Sequence, residues 1–441
     1  MPEKFLDTSV SITTETPIKI TIENLTFKII EIGTASGFFI KDGYIVTAGH
    51  VVLVEEFSFD SFSVRRDPPA TAVMTRVARI FVHVFNVNGS DNNFIYQADL
   101  VGIDGAGDIA ILKINHEKPW NQSLPKLDNH PYLNFSKSIK SQPGQNILVV
   151  GDPFGQDFHS VSHGVIRNNH YTDHSGLVVA ESMLIDTAIL SGNSGSPILE
   201  NDKEVIGMVT WSEGIGFGGG PSQRFMQPVI KALIGADKKE SQSHVQLLTD
   251  VFGNFWRYTK GYMGLNWNVV TVTDYIIPFD GPVNLNIIPK TKKIIGLRVN
   301  FVDGGTNGPF NSGIKSPFLG IILPGDIITH INKKPLGALD EQITPTLVTW
   351  LLNAGDEITL TYRKASEQYA KEYTVTRPLA EFPPIFDLSL FGIASNDKTY
   401  PTYKYLFESK KLTYNELIET VNKKAKIGNF TLSATKKHHS C

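Results

Sequence analysis

Apolar and polar residues alternate one by one through IKITIENLTFKII (18–30), the period-two pattern of a half-buried β-strand. The pattern recurs in short pieces. SGFFIKDGYIVTAGHVV (36–52) predicts a strand, a turn at Asp42-Gly43 and a second strand. RIFVHVFNV and FIYQADLVGI flank NGSDNN and predict another hairpin. GDIAILKI, NILVVGDPFG, SHGVIRNN and EVIGMVTW continue the series. Many short strands with few helices predict a mainly β fold, either a barrel or a pair of sandwiched sheets.

The period changes near residue 226. MQPVIKALIG has apolar residues at helical spacing, and so does VQLLTDVFGNFWRY, at Val245, Leu248, Phe252 and Phe255. With the charged GADKKESQS between them, these predict a helical linker over 237–258. A second, smaller unit is expected over 259–380, with a helix in ITPTLVTWLLNAG. The last segment, 381–441, reads as a C-terminal extension. It carries a Pro-rich EFPPIFD and a short helix at 413–425, opened by Thr413 with Glu416 three residues on.

Composition narrows the function classes. The chain has 441 residues, long enough for two or three domains. It sets 41 basic against 44 acidic residues, so no overall field favours nucleic acid or an anionic membrane. The single cysteine, Cys441, allows no intramolecular disulfide and fits a reducing compartment. MPEKFLDTSV lacks the charged start and apolar run of a secretory signal, and no segment is apolar enough to span a bilayer. The expectation is a soluble intracellular chain without a membrane span or a nucleic-acid partner.

Chemistry enters at LSGNSGSPIL (190–199), where Ser194 lies between Gly192 and Gly195. Such a stretch is by itself an ordinary turn, since Gly, Asn, Ser and Pro dominate turns for backbone reasons. A serine hydroxyl becomes a nucleophile only when a base takes its proton and a carboxylate holds that base. His50 in VTAGHVV ends one apolar strand, and Asp108 in GAGDIAILKI directly precedes another. Each singly reads as a core histidine or a turn aspartate. Jointly, these two strand-end residues and Ser194, in the order His, Asp, Ser, match a known triad order.

These segments resemble the three signature stretches of trypsin-like serine proteases, and GDIAILKI is similar to the HtrA branch. SGFFI, VGDPFG, SVSHGVI and VIGMVTW add to the resemblance, which covers roughly 26–236 and leaves 1–25 as an N-terminal extension. It implies a trypsin-like double β-barrel in which Ser194 attacks, His50 acts as base and Asp108 orients it, with no cofactor and no metal. It also implies an oxyanion hole from the N–H groups of Gly192 and Ser194, and an uncharged S1 pocket with Ala188 at its base and Thr210 and Ser212 on its wall. The 58-residue separation of His50 and Asp108 exceeds the usual one, the excess falling in the 55–80 insert.

HtrA proteases carry PDZ domains after the protease, and 259–380 resembles one, a PDZ-like α+β domain. GYMGL places Tyr262, Met263, Gly264 and Leu265 in the loop that would bind a peptide's terminal carboxylate, and LPGDIITHINKKPL and GDEITLTYRK match later strands. The implied partners are unfolded or C-terminal peptide segments of substrates, and the resemblance admits a homotrimer. Two other readings stay open: a latent peptide-binding chaperone or scaffold, and a maturation protease with one dedicated substrate. Other motifs carry less. GIGFGG (214–219) fits a nucleotide loop only formally, because Pro221 stands where a helix should begin, and His159, His163, His170 and His174 read as decoration of a surface loop.

Overall fold

The structure, a computed structural model, describes residues 6–381 except 23–24, 57–72, 78, 88–92, 106, 119–120, 138–140, 156–158, 172–181, 202, 213–215, 251–252, 274–291, 303, 305–314 and 337–351. Among these, residues up to Tyr258 form one compact unit and those from Thr259 onward a second. The fold is mainly β.

The first unit opens with β1 (Ser9–Ile22), β2 (Leu25–Phe39), β3 (Tyr44–Ala48) and the single-turn α1 (Gly49–Val52). Next come a small hairpin, β4 (Leu53–Glu56) with β5 (Val73–Arg76), and then β6 (Arg79–Val84), β7 (Phe94–Asp104) and β8 (Ile109–Ile114). Antiparallel pairing runs β7-β6-β1-β2-β3-β8 and returns from β8 to β7, closing a six-stranded barrel. The β2–β3 turn has positive φ at Asp42 (67°) and Gly43 (73°), the backbone that suits a tight hairpin and that Asp-Gly supplies. The barrel begins at Ser9, not at the expected residue 26: the segment read as an extension is a full strand between β2 and β6.

The second barrel is built from β9 (Asn134–Phe135), β10 (Asn146–Gly151), β11 (Ser160–Tyr171), β12 (Ser182–Asp186), β13 (Pro197–Glu200), β14 (Glu204–Met208), β15 (Trp211–Ser212) and β16 (Phe217–Pro221). Its sheet runs β16-β12-β11-β10-β13-β14, and a bridge between Gly207 and Ser222 brings the two ends together. Ile147, Val149, Ile166, Ile185, Ile198 and Ile206 fill its interior. Leu148, Val150, Leu199, Val205 and Met208 face the other way and join the core of the first barrel. This is period-two alternation with both faces buried, which is why β10 and β13 read as continuous apolar runs.

Helix α2 (Gln223–Asp237) buries Met226, Val229, Ile230 and Leu233 in that shared core, as its helical spacing predicts. The expected helical linker does not form. Residues 245–258 are instead a hairpin, β17 (Val245–Asp250) and β18 (Gly253–Tyr258), and β18 pairs in parallel with β7. Alternation wins over the helical spacing because Phe255 and Arg257 are turned inward beside the barrel, while Gly253, at φ 123°, serves the turn. Phe252, part of the helical pattern, lies outside the described residues.

The second unit contains β19 (Gly261–Tyr262), β20 (Leu265–Thr273), β21 (Lys292–Val302), β22 (Ile327–Ile331), β23 (Lys334–Pro335), β24 (Glu357–Arg363), β25 (Glu372–Pro378) and β26 (Ala380–Glu381). Its main sheet runs β20-β21-β22-β24-β25, so among the described residues β20 is an edge strand, and β19 pairs with β26. Leu297, Val299, Phe318, Ile322, Ile328, Ile358 and Leu360 form its own core. Most of the helix expected in ITPTLVTWLLNAG, most of the 55–80 insert, and all of the 413–425 helix lie outside the described residues.

Candidate active site

Strand β3 carries the chain to His50. All five of its residues are buried, and α1 comes directly after it, so the imidazole emerges at the barrel rim with its side chain 37% exposed. Asp108 sits in the β7–β8 loop at φ 53°, a left-handed conformation that Asp tolerates better than most residues. That turn aims the carboxylate back at the histidine. Oδ1 accepts the His50 backbone N–H at 2.8 Å, and Oδ2 lies 2.9 Å from His50 Nδ1. Gly49 makes the approach feasible, since a Cβ there would stand 3.1 Å from Asp108 Oδ1. An ionised carboxylate can only accept, so Nδ1 carries the hydrogen and Nε2 keeps the basic lone pair.

Ser194 lies in the loop between β12 and β13 and is 3% exposed. Five successive carbonyls of this loop accept hydrogen bonds. Leu190 O takes Asn193 N–H at 3.0 Å, Ser191 O takes Phe154 N–H at 2.7 Å, and Asn193 O takes Ser196 N–H at 2.9 Å. Gly192 O takes the Ser36 hydroxyl at 2.7 Å, and Ser194 O takes Ser36 N–H at 2.8 Å. In a trans peptide the N–H points opposite to the C=O. The Gly192 N–H is therefore turned away from Phe154 and the Ser194 N–H away from Ser196, an orientation suited to holding an oxyanion.

Glycine is required at two places in this loop. Gly192 has φ 98°, and a Cβ on it would stand 2.5 Å from Asp152 O. Gly195 has φ 88°, and its added Cβ would overlap Ser36 O and approach Ala48 N to 3.1 Å. The serine loop thus packs on the last residue of β3, two positions before His50. In this way the three candidate segments, drawn from both barrels, are brought to one edge.

The expected pocket residues differ in exposure. Ala188 is exposed, Thr210 is 7% exposed, and Ser212 is partly buried on β15. After β12, Thr187 and Ile189 are buried, at 4% and 6% exposed. A Cβ on Gly218 would stand 2.5 Å from Ile189 Cδ1 and 2.6 Å from Trp211 O, so Ile189 occupies the space that β16 leaves open with its glycines. In the second unit, Tyr262 pairs with Ala380, Met263 is buried, and Gly264 turns at φ 62° before Leu265 opens β20. The Met263 carbonyl accepts the Ser316 hydroxyl at 2.6 Å.

Among the described residues no three His, Cys, Asp or Glu side chains gather as a metal site. His159 departs from the expected surface role: it packs edge-on against Phe85 at 4.3 Å, and burial lowers its pKa to about 4. One residue in contact with the serine loop escapes a reading of the sequence, Ser36. Ser36 opens SGFFI, yet nothing there marks its hydroxyl as more than a strand residue.

The geometry can be compared with known proteins. The chain is 31% identical over 166 residues to Protease Do-like 8, chloroplastic, of Arabidopsis thaliana, covering 37% of this chain and 32% of that protein. It is 26% identical over 224 residues to Serine protease Do-like HtrA of Bacillus subtilis, 47% of each. A DegP-like periplasmic serine endoprotease of Rickettsia prowazekii is 29% identical over 159 residues, covering 34% of this chain and 29% of that one. The chain thus matches less than half the length of these curated relatives. Among solved structures, HtrA-type protease AlgW with tripeptide superimposes with a TM-score of 0.53 at 19% identity, over 86% of this chain and 96% of that one. Residues 35–208, which include His50, Asp108 and Ser194, match the family model of the trypsin-like peptidase domain, and the chain has the fold of the HtrA-type proteases.

Proposed function

We propose that the protein is an HtrA-like serine endopeptidase, and the observation that carries this reading is the pair of hydrogen bonds that the Asp108 carboxylate accepts from His50. The relatives that match it bear serine protease names. Ser194 Oγ attacks the substrate carbonyl while His50 Nε2 takes its proton. The oxyanion that forms is held by the N–H groups of Gly192 and Ser194, and His50 returns the proton to the leaving amine. Water then repeats the sequence on the acyl-enzyme and restores Ser194. No cofactor takes part.

The pocket beside the serine accepts small or medium apolar side chains, because Ile189 narrows it and neither Thr210 nor Ser212 brings charge. The second unit acts as a PDZ-like module: among the described residues β20 is an edge strand to which a peptide strand could be added, and the Tyr262–Leu265 turn directly precedes it. Its ligands are C-terminal or unfolded segments of protein substrates. In domain terms the protease unit runs through β18, and the peptide-binding unit comes after it.

Labelling with a fluorophosphonate tests the reading. The intact chain takes up one probe and Ser194→Ala takes up none. A folded intact chain that resists the probe, with or without added C-terminal peptides, overturns the enzyme and leaves the scaffold.

A further inference from the structure

Ser36 is 0% exposed, lies on β2 of the first barrel, and reaches the second barrel with its hydroxyl and its N–H. Its hydroxyl donates to Gly192 O at 2.7 Å and accepts Asp152 N–H at 2.8 Å. Its N–H donates to Ser194 O at 2.8 Å, and its own carbonyl accepts the Thr47 hydroxyl at 2.7 Å. Gly151 leaves the space for this arrangement, since a Cβ there would stand 3.0 Å from Ser36 Oγ and 2.5 Å from Asn193 Oδ1. One residue of one barrel therefore holds the carbonyls on both sides of Asn193 in the other.

Those two carbonyls decide the direction of the loop. The Gly192–Asn193 peptide cannot rotate without breaking the bond from the Ser36 hydroxyl. If it did rotate, the change would fall on ψ of Gly192 and φ of Asn193, next to the peptide that presents the Gly192 N–H. Phe154 N–H holds that neighbouring peptide from the other side, through Ser191 O. Asp152, two residues before Phe154, is in turn held by the same Ser36 hydroxyl. The hydroxyl thus joins both clamps of the oxyanion loop, directly at Gly192 and through the Asp152–Phe154 turn at Ser191.

We infer that Ser36 is a positioning residue of the oxyanion loop, fixing the direction of the Gly192 N–H from the neighbouring barrel. The inference rests on the endopeptidase reading and adds to it the residue on which the loop's active geometry depends. Ser36 touches neither substrate nor reacting atoms. Its effect is felt where negative charge develops on the substrate oxygen, and so on the transition state more than on substrate binding.

The experiment compares the full chain with Ser36→Ala, Ser36→Cys and Ser36→Thr on a peptide amide substrate, with Ser194→Ala as the blank. Three quantities are read for each variant: kcat and KM, the affinity for a peptide aldehyde that occupies the oxyanion position, and the melting temperature. Ser36→Ala is expected to lower kcat by about 10- to 100-fold with KM changed by less than about threefold, since small misplacements of catalytic groups cost on that order. Aldehyde affinity should fall in parallel with kcat. Ser36→Thr, which keeps a hydroxyl, recovers most of the loss, and Ser36→Cys, with a weak donor and acceptor, does not. If Ser36→Ala fails to fold, Ser36→Cys carries the same comparison at nearly native volume. Full kcat in a folded hydroxyl-less variant overturns the inference, as does a loss accounted for by the unfolded fraction. An intact chain that is folded yet matches the Ser194→Ala blank overturns the underlying endopeptidase reading, and the inference with it.

Discussion

Asp108 holds His50 at two points, the backbone N–H at 2.8 Å and the ring Nδ1 at 2.9 Å, with one carboxylate oxygen for each. The backbone contact fixes where the histidine begins, and the ring contact fixes which nitrogen is basic. Because both oxygens are engaged, the carboxylate cannot turn without loosening the chain that carries the imidazole.

Asp108→Asn separates these two roles. The amide oxygen still accepts from the His50 backbone, so the loop keeps its shape. The amide N–H₂ can only donate, which forces the hydrogen on the ring from Nδ1 to Nε2. We expect kcat to fall on the order of 10⁴-fold with KM nearly unchanged. Steady-state kinetics on a peptide amide checks this, and a loss under about tenfold would dismiss Asp108 as the orienting group.

On the proposed reading, Ile189, which packs in the core of the second barrel, limits the reach of the pocket. Ile189→Ala opens the space between the end of β12 and Gly218, so larger apolar side chains gain access. The preference for a leucine or phenylalanine over an alanine or valine at the cleaved position should shift by about 10-fold or more, as one or two methylenes decide in a hydrophobic pocket. The same change costs about 2–5 kcal/mol of stability as a large-to-small core substitution. Cleavage-site profiling of a peptide library gives the answer. An unchanged profile in a folded variant would move the specificity pocket elsewhere.

His159 gives the first unit a pH-dependent stability. Burial against Phe85 depresses its pKa from 6.5 to about 4, and the nearby Asp7 only partly opposes this. The folded chain keeps the ring neutral between those values while the unfolded chain protonates it. This contribution is therefore complete above pH 6.5 and declines as the pH falls toward 4. The melting temperature of the intact chain should fall relative to that of His159→Phe as the pH is lowered over that interval. A gap that stays constant with pH would show that His159 does not titrate differently on unfolding.

Much of this was legible from the residues, and for a physical reason. His50 follows one apolar strand and Asp108 precedes another, where a polar residue is out of keeping with its neighbours, while Ser194 lies in a turn-rich loop and stands out only beside those two. The hairpin at 245–258 was not legible. Val245, Leu248 and Phe255 fit a helical face as well as they fit a strand, and the pairing of β18 with β7 depends on a partner some 150 residues away in the chain. Ser36 was hidden for the opposite reason. A serine in a strand is unremarkable by itself, and its significance comes from Asp152, Gly192 and Ser194, which only the docking of two barrels brings to it.

The parallel pairing of β18 on β7 also bears on where the molecule can be divided. Trp256 and Arg257 lie against Gly102 and Ile103, and a side chain on Gly102 would collide with the Trp256 carbonyl, so the two backbones meet without spacers. A fragment that stops after α2, at Asp237, contains both barrels but bares that stretch of β7 and the apolar surface that Phe255 and Tyr258 cover. An uncovered strand edge next to apolar surface recruits other chains. We therefore expect the smallest well-behaved fragment that holds both barrels to end at Tyr258, and the hairpin works as a seam that belongs to the barrels rather than as a tether.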